Sequence, residues 1–572
     1  MHPTTSSRCD WLRLPLLLLV FASLSFFSAT RESVTVDEFR HLSTGVYYWQ
    51  TGDFSFDSAT PPLWKLAFSL PAYLSGAEPT HGKIGESIYG GWTPWFVATD
   101  FMRKYDASYD SFLASARIVN ILAACACLAY LYRRARQRFD PHAALYGTAF
   151  LAFSPTLLAH SHYATSDVIA CLTLTVLTFQ LIDFSRKPSW PLLWGVSFLL
   201  GLSLVCKFSA ILLLPPFLVV IALRSPSLGV PFLRNREEAP RRTLGSLALP
   251  VLSLLLAAGI VLATINLQYG FGGFGTRLRS ISLQSRSLQS LSATPLGSLP
   301  LPLPRAFIEG FDHQKADSDY AEFPSYFMGR WAPEGFRYYY LAAFSLKETI
   351  PFVVLFLVVL FVRAANRDFR PGRSEALLLW FVPASLLFVL SFMNKLDVGV
   401  RYLLPAYPFL CYFFCRLFAD RATGKRFRAF LLALLALHCL STLRVAPHFT
   451  AYFNELCGGP GNGYRYLIDS NLDWGQDLVG LKRFMEKNRI DSIQLAYFGH
   501  ALPEHYGIKY VPLLDRPKPG YVAVSATLLQ GQPYLLTYLT PPYVAPMDHY
   551  YFMRKFEPIA QVGHSIMIYR IV

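Results

Sequence analysis

The chain has 572 residues, with 52 Lys and Arg against 37 Asp and Glu for a formal net charge of +15, yet it is 53% hydrophobic, 15% aromatic and only 16% charged. That balance excludes an ordinary soluble domain and a disordered chain, and fits an integral membrane protein whose basic residues gather in loops. The positive charge needs no nucleic-acid partner, because topology and anionic lipid at the inner face account for its clusters.

Apolar runs long enough for a ~30 Å hydrocarbon layer recur at 11–30, 113–132, 143–160, 167–184, 190–206, 208–223, 244–266, 346–362, 375–393, 400–418 and 428–446. Eleven spans are therefore predicted. The first reads as a retained helix rather than a signal peptide, because it has no small-residue cleavage site and ten spans follow. The pair at 190–223 is interrupted by Lys207 and Pro215-Pro216 and has room for a broken or re-entrant segment. Basic clusters at 133–138, 185–187, 234–242 (with Arg224), 363–373 and 416–428 alternate with the loops 31–112, 161–166, 267–345 and 394–399. The positive-inside rule then puts the N-terminus in the cytoplasm and the C-terminus outside. Eight of the nine cysteines lie in or beside apolar runs or at the extreme N-terminus, and there is neither a disulfide framework nor a CxxC knuckle.

Directly after the first span, VTVDEFRHLSTGVYYWQTGDF predicts a helix over 36–51 stopped by Gly52, with Asp37, His41 and Tyr48 on one face. A carboxylate one turn from an imidazole is a candidate general base with a neighbour. The plainer reading of Asp37-Glu38 is negative charge favoured by a helix N-terminus. Further along, Lys65 follows Pro61-Pro62 near the headgroup level, where it can hold a phosphate or simply snorkel from an interfacial helix. AHSHYATSDV places His160, His162 and Asp167 close together, as a metal cluster or as a helix cap. Lys207, Lys347, Lys395 and Arg401 lie near outer ends of later spans and form a basic ring on the same side as Asp37 and Asp167. Carboxylates beside such a ring suit a phosphate-linked lipid.

The outer loop 267–345 is too aromatic for a linker. Its Trp331 and Tyr338, Tyr339 and Tyr340, with Trp92 and Trp95 of the first outer loop, offer faces for sugar rings or an interfacial belt. Beyond His448 the strand-like runs GYRYLIDS, DSIQLAYFG, GYVAVSATLL and HSIMIYRIV flank a predicted helix in DWGQDLVGLKRFMEKN, with Trp474, Leu478, Leu481 and Phe484 on one stripe. The predicted organisation is a transmembrane domain over 1–446 and a soluble α/β domain over 447–572.

In order along the chain, DEFRHLSTGVYYWQTGDF with PPLWKL, HSHYATSDV, the stretch from LPLPRAFIEGF to FSLKETIP, KLDVGVRYLLPAYP, and NELCGGPGNGYRYLIDSNLDWGQDL carry a family likeness. From about residue 34 to 500 the chain resembles bacterial polyprenyl-phosphate-sugar glycosyltransferases of the GT-C fold, related to protein O-mannosyltransferases and aminoarabinose transferases. The resemblance implies a catalytic base at Asp37 with Glu38 beside it, an acidic residue at Asp167, a lysine at Lys65 and a donor-phosphate cation at Arg401. Lys207 and Lys347 join the cations expected around the phosphate, and His162 and His41 join Asp167 near the acceptor or a metal. Whether a divalent cation takes part is open.

The reaction so implied moves a sugar from a polyprenyl-phosphate donor to a lipid, protein or glycan hydroxyl, with inversion, at the outer face of a bacterial inner membrane. The competing classes are a secondary transporter of an anionic substrate and a non-catalytic binder of envelope lipid or glycan. Transporters concentrate ionisable groups at the midplane, whereas these candidates lie at outer helix ends and loops.

Overall fold

A computed structural model describes residues 12–78, 94–228, 245–320, 324–365, 373–420 and 424–572; Trp92, Cys9, the basic run 234–242 and most of 363–373 lie outside the described residues. Among the described residues seven helices are long and apolar enough to cross a membrane: Asp106–Arg136, Ser166–Arg186, Phe208–Ser227, Ala248–Gln268, Glu375–Phe392, Val400–Ala419 and Lys425–Leu443. Shorter apolar helices at Arg13–Ala29, Trp190–Leu204 and Ile350–Val362 fill three more of the predicted runs. The chain is an integral membrane protein of polytopic helical class. Val400–Ala419 is its centre, with 83% of its apolar window buried against 17% for the peripheral Ala248–Gln268.

The remaining run, 143–160, is not one helix. It divides into Pro141–Ala152 and Pro155–Ser161, because Ser154 turns extended, its Oγ accepts the Leu157 N–H, and Pro155 has no N–H to continue the first helix. At 190–223 the break falls at Lys207, which is extended between the helix ending at Leu204 and a tight helical turn at Phe208–Leu213. Pro215-Pro216 is no break, since it occupies the first turn of Leu214–Arg224, where the missing N–H groups cost little.

Among the described residues, loop 31–112 folds into three helices, Val36–Thr51, Leu63–Leu74 and Pro94–Lys104. The first ends at Gly52, with φ 66°, as its sequence predicts. The first two helices touch at Gly45, where an added Cβ would lie 2.3 Å from both the Lys65 carbonyl and the Ser69 hydroxyl. Loop 267–345 holds a helix at Arg305–Tyr320 and a small hairpin pairing Ser325–Phe327 with Arg330–Ala332.

The C-terminal domain carries a five-stranded mixed sheet, ordered Tyr510–Pro512, Ile493–Ala496, Gly520–Ser525, Ile566–Ile571, Ala560–Val562. The first three strands run parallel and the last two form an antiparallel hairpin. Two expectations fail here. GYRYLIDS is not a strand: Pro460–Arg465 is a tight helical turn, and Asp469, at φ 56°, curls the chain so that its carbonyl accepts the Leu472 and Asp473 N–H groups. The helix predicted from Asp473 starts only at Leu478, because Gly475 adopts φ 83°; Trp474 leaves the stripe, and Leu478, Leu481 and Met485 form the buried face.

Candidate active site

Four charged side chains from four segments come together at a cavity of about 380 Å³ that further segments also line. Asp37 and Asp167 each sit at the second position of their helices, Val36–Thr51 and Ser166–Arg186, where a helix N-terminus favours a carboxylate. Lys207 comes from the break before Phe208, and Arg401 from the tight turn that opens the central helix. Arg401 Nη1 donates to Asp37 Oδ2 at 3.1 Å and to Asp167 Oδ2 at 3.3 Å, and Lys207 Nζ binds Asp167 Oδ1. The two carboxylates therefore differ. The Asp167 side chain is fully buried between two cations, whereas that of Asp37 is 22% exposed and faces the cavity with one cationic partner. Lys207 Nζ and the Arg401 guanidinium both lie over the Tyr402 ring, and the other aromatic partner of Arg401 is Trp474 at 4.3 Å.

His41 also lines the cavity, edge-on to Trp64, and burial followed by the nearby Arg40, Lys65 and Arg401 charges holds its imidazole well below the usual range. The other expected site residues point elsewhere. Glu38 is fully buried: Oε2 accepts from the Thr35 N–H and hydroxyl, Oε1 from the Ala164 N–H, and Arg117 grips both oxygens at 2.8–2.9 Å. Burial raises its pKa, but the Arg117 charge and hydrogen bonds, with the Ala164 and Thr35 N–H groups, more than offset that and leave the carboxyl below its ordinary range. Lys65, fully buried, bonds Asp57 Oδ2 at 2.7 Å; burial lowers it to about 8. Lys347 donates to the carbonyls of Thr450, Tyr452 and Asn471. His162 spans the Leu158 carbonyl and Glu32, both at 2.9 Å. Asp167 and His162 thus have separate partners, and among the described residues no group of three or more His, Cys, Asp or Glu could hold a metal ion.

Several cavity residues escape a reading of the sequence. Arg40 follows Asp37 by three residues on the same helix face, a spacing that could have exposed it. It reaches Asp57 at 3.5 Å and lies over Trp95, whose ring packs at a tilt against His500 with centroids 4.0 Å apart. Asp317, Asp397 and Asp469 line the cavity from three distant segments and carry no local signature. Burial pushes Asp397 up to about 7 and Asp469 up to about 6. Of the aromatic residues singled out above, Trp95 lines the cavity, Tyr339 and Tyr340 are buried in packing, and Trp331 bonds the Gln530 carbonyl.

A second, mainly apolar cavity of about 410 Å³ adjoins the first and shares Lys207, Phe208, Gln314, Asp317, Leu396 and Tyr402 with it. Its far walls are Ile211 and Leu212 on one membrane helix and Leu386, Val389, Leu390 and Met393 at the end of another. A charged chamber thus opens sideways into an apolar groove. Such a shape suits an amphiphile with a phosphate at the junction.

Residues 110–255 match the family model for dolichyl-phosphate-mannose-protein mannosyltransferase. That segment carries Asp167 and Lys207. No curated relative matches the chain in sequence. Among solved structures, it is similar to ArnT from Cupriavidus metallidurans bound to undecaprenyl phosphate, at 13% identity over 98% of each chain with TM-score 0.45. The apo form of that protein gives 12%, 98% of each chain and 0.46. An Archaeoglobus fulgidus oligosaccharyltransferase in complex with zinc and sulfate gives 12% identity over 74% of this chain and 53% of that one, with TM-score 0.37.

Proposed function

We propose that the protein is a GT-C glycosyltransferase that moves a sugar from a polyprenyl-phosphate donor to an acceptor hydroxyl, with its site, and residues 447–572, outside a bacterial inner membrane and its N-terminus in the cytoplasm. The observation that carries this reading is the junction at Lys207 and Tyr402, where the charged cavity meets the apolar groove between two membrane helices. The polyprenyl tail lies in the groove and the phosphate rests at the junction beside Lys207 and Arg401. The family likeness of residues 110–255 supports the same class of donor.

Asp37 Oδ takes the proton of the acceptor hydroxyl as that oxygen attacks the anomeric carbon from the face opposite the phosphate. The new C–O bond forms, the bond from carbon to phosphate oxygen breaks, and its electron pair leaves with the lipid phosphate, so the anomeric configuration inverts. Lys207 and Arg401 stabilise the charge that develops on the leaving phosphate. A phosphate of low basicity departs without an acid, so one carboxylate suffices. Asp167, saturated by the same two cations, holds them in place.

The test is transfer of radiolabelled sugar from polyprenyl-phosphate hexose and pentose donors into membrane acceptors, comparing the parent with Asp37→Asn at equal expression. Transfer by the parent and its loss in the variant support both the activity and the base. Equal transfer removes Asp37 from the mechanism, and no transfer from any donor gives weight to an anion transporter or a lipid-glycan binder.

A further inference from the structure

The string DSNLDWGQD at 469–477 lies outside the reacting groups proposed above, yet both halves of the Asp37–Arg401 pair hang from it. On one side, the Trp474 carbonyl accepts the Val36 N–H at 3.0 Å and the Gln476 carbonyl accepts the Ser33 N–H at 2.7 Å. Ser33 Oγ donates to the Gly475 carbonyl at 2.9 Å and accepts the Leu478 N–H at 3.1 Å. These bonds fix the chain entering the Asp37 helix. On the other side, Asn471 Oδ1 accepts the Val400 N–H at 2.9 Å, and Ser470 Oγ donates to the Val398 carbonyl at 2.9 Å. The approach is so close that a Cβ on Gly399 would lie 2.3 Å from Ser470 Oγ. Lys347 ties the Asn471 carbonyl to the membrane domain from behind. Between the two anchors, the Trp474 ring, 2% exposed, lies 4.3 Å from the guanidinium carbon of Arg401.

The geometry points to Trp474 as the positioning residue of the site, its ring presenting Arg401 Nη1 to Asp37 and Asp167 while its carbonyl sets the helix that carries Asp37. A guanidinium set against a buried aromatic face has fewer orientations open to it, and the contact gains strength where water is excluded. The C-terminal segment is therefore part of the site rather than an attachment to it. The consequence for turnover rests on the transferase reading above, but the positioning itself does not.

Two measurements on the full-length protein in detergent test this. Arg401 is modified with phenylglyoxal and Asp37 with carbodiimide and glycine ethyl ester, and each is quantified by mass spectrometry in the parent, Trp474→Leu and Trp474→Phe. Both labels should rise about threefold or more in Trp474→Leu and stay near the parent in Trp474→Phe, which keeps a ring face. In parallel, kcat/KM should fall roughly tenfold in Trp474→Leu, through kcat more than KM, with little change in Trp474→Phe. Adding Trp474→Leu to Arg401→Lys should cost little beyond Arg401→Lys alone, because residues acting through one another are not additive. Parent-level labelling in Trp474→Leu, or equal losses in the Leu and Phe variants, would overturn the proposal. Should Trp474→Leu fail to fold, Trp474→Met, which also lacks a ring, replaces it under the same criteria. If the labels shift but the parent transfers no sugar, the positioning stands and the transferase reading fails.

Discussion

Asp37 and Glu38 are chemically near-identical neighbours, and the structure predicts opposite consequences for neutralising them. In Asp37→Asn the side chain keeps an oxygen that can accept from Arg401, and Arg401 retains Asp167 at 3.3 Å. The lost charge pair is partly exposed, so stability should change by no more than about 1 kcal/mol. Removing a general base should lower kcat by about 10²–10⁴-fold. Glu38→Gln reverses this. Glu38 accepts five hydrogen bonds from Thr35, Ala164 and Arg117, and a glutamine offers one acceptor oxygen for all of them. It also leaves the Arg117 guanidinium, 2% exposed, without its counter-charge, a change worth about 3–5 kcal/mol. The assay is thermal unfolding of the detergent-purified proteins alongside sugar transfer at saturating donor. A Glu38→Gln protein that melts with the parent but has lost turnover, as Asp37→Asn is expected to, would refute this division of roles.

Lys207 and Lys65 should separate in the same manner. Lys207→Met should weaken binding of a polyprenyl phosphate by about tenfold, read by tryptophan fluorescence; Lys65→Met should leave that binding near the parent's and, by taking the 2.7 Å partner from buried Asp57 while Arg40 remains at 3.5 Å, should cost about 1.5–3 kcal/mol of stability. Gly45→Ala forces a Cβ against the Lys65 carbonyl between the two loop helices and should lower stability by about 1–3 kcal/mol, seen as a lower melting midpoint. Asp473 is a pH probe: burial pushes its carboxyl up to about 8. The folded state holds this proton from the ordinary carboxylate range near about 4 up to about 8, so stability falls as pH rises through that window. Asp473→Asn can keep the bond from the Thr527 N–H and stays neutral, so its melting midpoint should fall less than the parent's between about pH 5 and about pH 8.

Much of the architecture was written locally. Long apolar runs must satisfy their backbone groups internally, so they read directly as helices. The Asp37 helix was equally legible, from its acidic first turn to Gly52, because caps and terminators act over a few residues. The errors arose where one or two local breakers were hidden inside a longer periodic pattern. Run 143–160 looked continuous until Ser154 and Pro155 divided it, and Trp474 looked like a helical core residue until Gly475 turned the chain and placed its ring beside Arg401.

The sequence by itself determined that the protein is a polytopic membrane protein and which residues carry charge in the loops between its spans, because hydropathy and charge are properties of single residues and short windows. Only the tertiary structure decided which charges share a cavity. Asp37, Lys207 and Arg401 meet there with Asp167 buried behind the two cations, while Glu38, Lys65, Lys347 and His162 are bound elsewhere by Arg117, Asp57, three carbonyls and Glu32. A buried charge must find a partner, and that partner can lie hundreds of residues away, beyond the reach of any local pattern.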